Sequence, residues 1–247
     1  MKCTEIHIGL SAFNNSYWKG IFYPEELAAS KRFNFYCTRF NTYEINASFY
    51  KFPTVKGLKG WYDKSPANFL FSVKANRVIT HFKKFNDCSQ EIADFYATCR
   101  EGLADKLGFV LFQLPPSFSY TPERLELILS SLDYSFRNVI EFRNITWWKP
   151  EVFDALAANN ITFCSVSYPG LPEDVISTTS TVYVRLHGTP QLFYSGYETE
   201  QLVTLFETIQ SKEGINKAYI YFNNTASNEG ILNAMALQKE ILGLPDS

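Results

Sequence analysis

The sequence predicts an α/β fold, a single (β/α)8 barrel of the TIM type spanning residues 1–247. Three observations predict it. Eight short apolar runs, rich in β-branched and aromatic residues, recur along the 247 residues. Helical periodicity fills most of the gaps between them. Segments leaving the runs are long, whereas segments returning to them are short. Strands alternating with helices imply parallel βαβ units, and eight such units in about 250 residues is the size of this barrel. A doubly wound open sheet is the runner-up. When it binds dinucleotide it carries G-x-G-x-x-G in its first turn, and that motif does not occur.

The elements follow in order. Glu5–Gly9 is the first run, and the long segment Leu10–Pro24 leaves it. Phe33, Tyr36, Cys37 and Phe40 fall at i, i+3, i+4 and i+7, one face of a helix, and lead into the run Asn41–Ile45. A weaker helix fits residues 55–64. The run Phe69–Lys74 is left through 75–88, and Ile92, Phe95, Tyr96 and Cys99 form the next stripe. Phe109–Gln113 follows, then 114–122, where Thr121-Pro122-Glu123 reads as a helix start with a cap residue before proline in the first turn. That helix carries Leu125, Ile128, Leu129 and Leu132. Asn138–Phe142, the segment 143–150 and a helix at 151–158 come next. Ile161–Val166 leads into 167–180, where no regular helix is evident. Thr181–Leu186 leaves through 187–197, and Leu202, Leu205, Phe206 and Ile209 give another stripe. Ala218–Phe222 and a helix at 229–242 complete the series. Returns are short, at Gly108 and at Asn159–Asn160. In a barrel the long segments share the face at the strand C-termini, where such proteins place their chemistry.

Strand side chains alternate faces. In TVYVRLHGTP, Thr181 to Pro190, Tyr183, Arg185 and His187 therefore share one face, and Val182, Val184 and Leu186 share the other. The same parity groups Thr42, Glu44 and Asn46; Leu70, Ser72 and Lys74; Leu111 and Gln113; Val139, Glu141 and Arg143; and Tyr221 and Asn223. Each time, polarity arrives at the C-terminal end of a mainly apolar run. The pattern predicts a polar cap over a barrel core. Two readings of it stand. Glu44 and Glu141 could neutralise Lys74, Arg143 and Arg185 as a structural network, because buried charges must pair. Or the set lines a pocket, whose positive excess suits an anionic or polyhydroxyl ligand. The pocket is favoured, since a network serving stability alone has no need to sit at every strand end.

Composition narrows the function. Hydrophobic residues make up 46 % of the chain and the net charge is −2, which argues against non-specific binding to a nucleic-acid backbone. The five cysteines, Cys3, Cys37, Cys88, Cys99 and Cys164, form no C-x-x-C pair and read as buried free thiols of a reducing compartment. The N-terminal stretch lacks a signal-type apolar run, and no stretch approaches about 18 apolar residues. A soluble, cytoplasmic protein is expected, without a membrane partner.

The stretches IHIGLSAFNNSYWKGIFYP, FNTYEINASFYKFP, FLFSVKANRVITH, LFQLPPSF, VIEFRNITWW, YVRLHG and YIYFNN resemble, in order, the signature of the YecE-like family, domain of unknown function 72. The resemblance runs from about Ile6 to about Leu237. It implies a TIM barrel and no reaction, since no activity is established for the family. Its pattern falls on Gly9, Ser11, Tyr17, Trp18, Glu44, Asn46, Phe49 and Tyr50, and on Lys74, Thr80, His81, Gln113, Pro115 and Pro116. It continues on Glu141, Arg143, Trp147, Arg185, His187, Gly188, Asn223 and Asn224. Two departures stand out. Ser167-Tyr168-Pro169 occupies a place where Asp-Ser-Pro is common, and Ala12-Phe13 replaces Gly-Trp.

The favoured chemistry is acid–base work on a small polar, anionic, sugar- or phosphate-like substrate, as an isomerase, lyase or hydrolase. Glu44, Lys74, His81, Glu141 and His187 are the expected catalytic set. Tyr17, Trp18, Asn46, Tyr50, Gln113, Arg143, Trp147, Arg185, Asn223 and Asn224 are expected to bind substrate. A Schiff-base role for Lys74 is disfavoured by its neighbouring glutamates, which favour the charged amine. No cofactor is expected. A divalent metal on Glu44, Glu141 and His187 is not favoured, because zinc-type spacings are missing. The alternative is a non-catalytic protein that binds a small ligand, a nucleotide or single-stranded nucleic acid through the aromatic residues of its top loops. P-loop and nucleophile-elbow motifs do not occur.

Overall fold

The computed structural model describes residues 4–242, so Cys3 lies outside the described residues. All eight predicted runs are strands: β1 (Glu5–Leu10), β2 (Thr42–Ile45), β3 (Leu70–Lys74), β4 (Leu107–Gln113), β5 (Asn138–Glu141), β6 (Thr162–Ser167), β7 (Thr181–Leu186) and β8 (Lys217–Phe222). They follow one another in the sheet in chain order, and the ladder closes into a barrel. The helices are α1 (Arg32–Tyr36), α2 (Ala47–Tyr50), α3 (Val55–Lys64), α4 (Ser89–Leu103), α5 (Pro122–Ser131), α6 (Pro150–Ala158), α7 (Thr199–Ser211) and α8 (Glu229–Leu242). Among the described residues no helix separates β6 from β7. None is long and apolar enough to cross a membrane.

Contacts divide the chain into two compact units. One takes in the described residues up to Tyr43, Ser165–Val175 and the described residues from Ser180 on. The other comprises Glu44–Cys164 and Ile176–Thr179. In the first, β8 pairs in parallel with both β1 and β7, setting Tyr221 beside Gly9 on one side and beside Arg185 on the other. Gly9 is required there, because a Cβ would stand 2.6 Å from the Thr42 carbonyl. The Tyr36 hydroxyl accepts from the Leu10 N–H (2.9 Å) and donates to the Thr42 carbonyl (2.8 Å), tying β1 to β2 inside an aromatic cluster with Phe33, Phe40 and Tyr43. The predicted stripe of Phe33, Tyr36, Cys37 and Phe40 is preserved. The helix itself is only five residues long, and turns carry the bonding on to Phe40.

In the second unit β3, β4 and β5 run in parallel, with Gln113 in register beside Glu141. Thr121 caps α5 as its sequence predicts, accepting from the Arg124 N–H, with Pro122 at the first position. Cys88, Cys99 and Cys164 are buried free thiols and Cys37 is half-buried. Burial raises the Cys99 thiol well above its usual range.

Packing of α3 on α4 generates a test. A Cβ at Gly102 of α4 would lie 2.4 Å from Leu58 Cβ of α3. Alanine is favoured over glycine inside a helix by about 1 kcal/mol, yet overpacking typically destabilises by about 1–3 kcal/mol. Gly102→Ala should therefore lower stability in urea unfolding. A variant at least as stable as wild type would show that α3 yields without strain.

Candidate functional site

In the second unit a turn of unusual construction holds the central residues. Strand β3 ends on Lys74, and the chain enters a π-helical turn, Val78–Lys83, that carries Thr80 and His81. Asn76 sets its entry: its side-chain oxygen accepts from the Val78 N–H (3.0 Å) and its amide donates to the Ser48 carbonyl (2.8 Å). The Ser48 hydroxyl lies within reach of the Lys74 carbonyl (2.6 Å) and the Ile45 carbonyl (2.9 Å), fastening the ends of β2 and β3 together. The exit is strained. Lys84, Phe85 and Asp87 all have positive φ (51°, 68° and 44°), a region that disfavours side chains other than glycine. His81 Nδ1 lies 2.9 Å from Thr80 Oγ1, and its ring meets Phe49 edge to face at 4.8 Å. The Lys74 ammonium sits 4.2 Å from the centre of that same Phe49 ring.

The same unit holds a buried ion pair. Arg143 Nε donates to Glu141 Oε1; the Glu141 side chain is 0 % exposed and that of Arg143 6 %. Gln113, beside Glu141, donates to the Leu114 carbonyl (2.8 Å). Cys164 Sγ stands 3.9 Å from Glu141 Oε2. Glu44 is buried in β2, and Asn46, half-buried, precedes α2. Burial depresses the His81 pKa most, followed by the Lys74 and Arg143 charges and then Lys84; Glu141 opposes them. The result is about 4, against an ordinary 6.5.

In the first unit Arg185 and His187 are buried, as parity along β7 predicts. Arg185 Nη2 donates to Asn223 Oδ1 (2.7 Å), and the Asn223 N–H bonds the Leu186 carbonyl. The His187 ring meets Tyr168 and Phe193 edge-on, and the residue's backbone N–H donates to the Ser167 carbonyl. Gly188 turns the chain at φ +83°; a Cβ there would lie 2.6 Å from the Ser195 carbonyl. Its N–H donates to the Tyr197 hydroxyl (2.8 Å). Asn224 braces this loop through the Ser195 carbonyl (3.0 Å).

Two tryptophans expected to bind substrate are packed as core. Trp147 is stacked between Phe118 and Phe142, each at 8°, and its indole N–H donates to the Phe118 carbonyl (2.6 Å). Trp18 is fully buried against Phe22 and Tyr23. Neither presents a free ring face, because sealing the loops over the strands uses both. Tyr17 and Tyr50, 66 % and 68 % exposed, keep theirs. Sequence reasoning missed Ser48 and Asn76, which position the turns; it reads Tyr197 as a loop aromatic, and the structure has its hydroxyl holding the Gly188 N–H. Only Asn76-x-Val78 carried a local signal, the side-chain turn asparagine makes two residues on. Ser167, which stands near the place of the missing sixth-strand acid, donates to Glu173 Oε1 (2.7 Å). Among the described residues, no group of three or more His, Cys, Asp or Glu is placed to hold a metal.

Residues 7–244 match the family model described as protein of unknown function DUF72. A DUF72 family protein from Thermotoga maritima superposes with a TM-score of 0.86 at 28 % identity, covering 96 % of this chain and 99 % of that one. One from Enterococcus faecalis gives 0.83 at 19 %, covering 98 % and 97 %. Among curated proteins, UPF0759 protein YunF of Bacillus subtilis is 27 % identical over 157 residues, 60 % of this chain and 54 % of that protein. The chain thus spans about half the length of this curated relative.

Two outcomes follow. In an NMR titration His81 should titrate near pH 4, and Lys74→Met should raise that midpoint. The unfolded chain binds this proton first on acidification. The stability His81 contributes by staying neutral is therefore whole above about pH 6.5 and is lost as pH falls toward 4. A wild-type midpoint at 6.5 or above would contradict this electrostatic account. Separately, Glu141→Gln should destabilise by about 3–5 kcal/mol in denaturant unfolding, because it removes one charge of a buried ion pair. A loss under about 1 kcal/mol would mean that water already reaches the pair.

Proposed function

Because the chain belongs to the DUF72 family, whose description assigns no reaction, we propose a function from the residues themselves: acid–base chemistry on a small, anionic, sugar- or phosphate-like substrate. The observation that carries it is a half-buried imidazole held neutral beside Lys74 and Arg143. Two fixed cations attract an anion, and Glu141 holds the guanidinium in place. An arriving anion offsets the charges that depress His81, so its pKa climbs toward neutrality only in the complex. The imidazole then becomes an effective proton acceptor when substrate is present. The strained turn that carries His81 supports the reading, since backbone strain is retained where a side chain must be aimed. On β7, Arg185 and His187 are proposed as further anion-binding and proton-transfer groups.

A second reading, non-catalytic binding of a small ligand, a nucleotide or single-stranded nucleic acid, is favoured by the open rings of Tyr17, Tyr50, Phe193 and Tyr194. A thermal-shift series separates the two. Sugar phosphates should raise the melting temperature of wild type and lose that effect in Lys74→Met. Stabilisation by oligonucleotides alone, abolished in Tyr50→Ala, would support the second reading. No anion protecting wild type better than Lys74→Met would reject the first.

A further inference from the structure

Strand β7 has a second face. Its outward residues Val184 and Leu186 form the floor of a groove of about 670 Å³. The groove lies where a helix between β6 and β7 would have covered the strands. The 13-residue connection Tyr168–Ser180 contributes Val175, and α7 supplies Leu202 and Leu205 as the far wall. The floor is recessed, with Val184 2 % and Leu186 4 % exposed. A volume of this order suits a small molecule.

The rim has one sign of charge. Glu173 and Asp174 line it from the connection, and Glu198 and Glu200 from the start of α7; no Lys, Arg or His lines it. Ser167 and Tyr197 add hydroxyls, Ser167 already bonded to Glu173. A ligand here must bring an apolar body for the floor and a positive charge for the rim. We infer that this groove is a binding site for a small organic cation, an ammonium on an alkyl or aromatic body. The site is independent of the observation that carries the acid–base reading, since Lys74, His81 and Arg143 belong to the other unit.

The test titrates 4-phenylbutylammonium into the full chain, with 4-phenylbutyrate as the charge-reversed control, by calorimetry and amide NMR. Saturable binding is expected, with shifts confined to 165–175, 184–186 and 197–208. The doubly substituted Glu173→Gln/Asp174→Asn should weaken it roughly tenfold, and added salt should weaken it too. Glu198 is left intact because it caps α7. Thr204→Trp should abolish binding by filling the groove from an exposed position. Should that variant melt early, the rim pair carries the test alone. Equal affinity for 4-phenylbutyrate, binding unchanged in the rim variant, shifts elsewhere, or no saturable binding would each overturn the inference. Inorganic phosphate titrated into the same sample reports on the His81 region separately.

Discussion

A charge carried to the buried end of a strand must find a counter-charge, a hydrogen-bond acceptor or a ring face there, because removing an ion from water costs several kcal/mol. Much of the candidate site obeys this constraint. Arg143 stands two residues beyond Glu141 and turns back onto its carboxylate, so one strand end supplies both members of the pair. Arg185 is held by the Asn223 amide oxygen, donated by the end of the neighbouring strand. Lys74 places its ammonium over the Phe49 ring, where the negative face of the π-system receives it. Each cation is fixed in place. Fixed cations depress a nearby imidazole without collapsing onto it, and that is the condition of His81.

Most of the fold was legible in the sequence, for a specific reason. Parallel strands covered by helices are buried on both faces and read as compact apolar runs, so Thr181–Leu186 is recovered to the residue. The same alternation places Arg185 inward and Leu186 outward. The empty interval between β6 and β7 was legible too, since 168–180 lacks a helical stripe. The comparison with the Thermotoga maritima protein agrees with this barrel at the level of the whole chain.

The site was legible only in part. Residue type and parity nominate Lys74, Glu141 and Arg143, but not how the loops hold them. Trp147 shows the difficulty: an aromatic beside a charged strand end reads as a stacking surface, and its two stacked partners, Phe118 and Phe142, lie 29 and 5 positions away in the chain. No local pattern announces that sandwich. Ser48 and Asn76 act through backbone carbonyls and N–H groups, which carry no residue-type signal at the partner position. The outward groove escaped notice because it follows from a missing element, and its acidic residues sit in two segments more than twenty positions apart.

The π-helical turn at Val78–Lys83 has an evolutionary implication. It closes with the Lys84 N–H on the Ile79 carbonyl, five residues back, so the turn holds one residue more than an α-turn would. A single-codon deletion there would restore ordinary helical winding and rotate the side chains that follow it within the turn by about 100°. The presence or absence of an imidazole beside Lys74 is thus a matter of one inserted residue. Lineages of this barrel can gain or lose that arrangement in a single genetic step while every strand stays where it is.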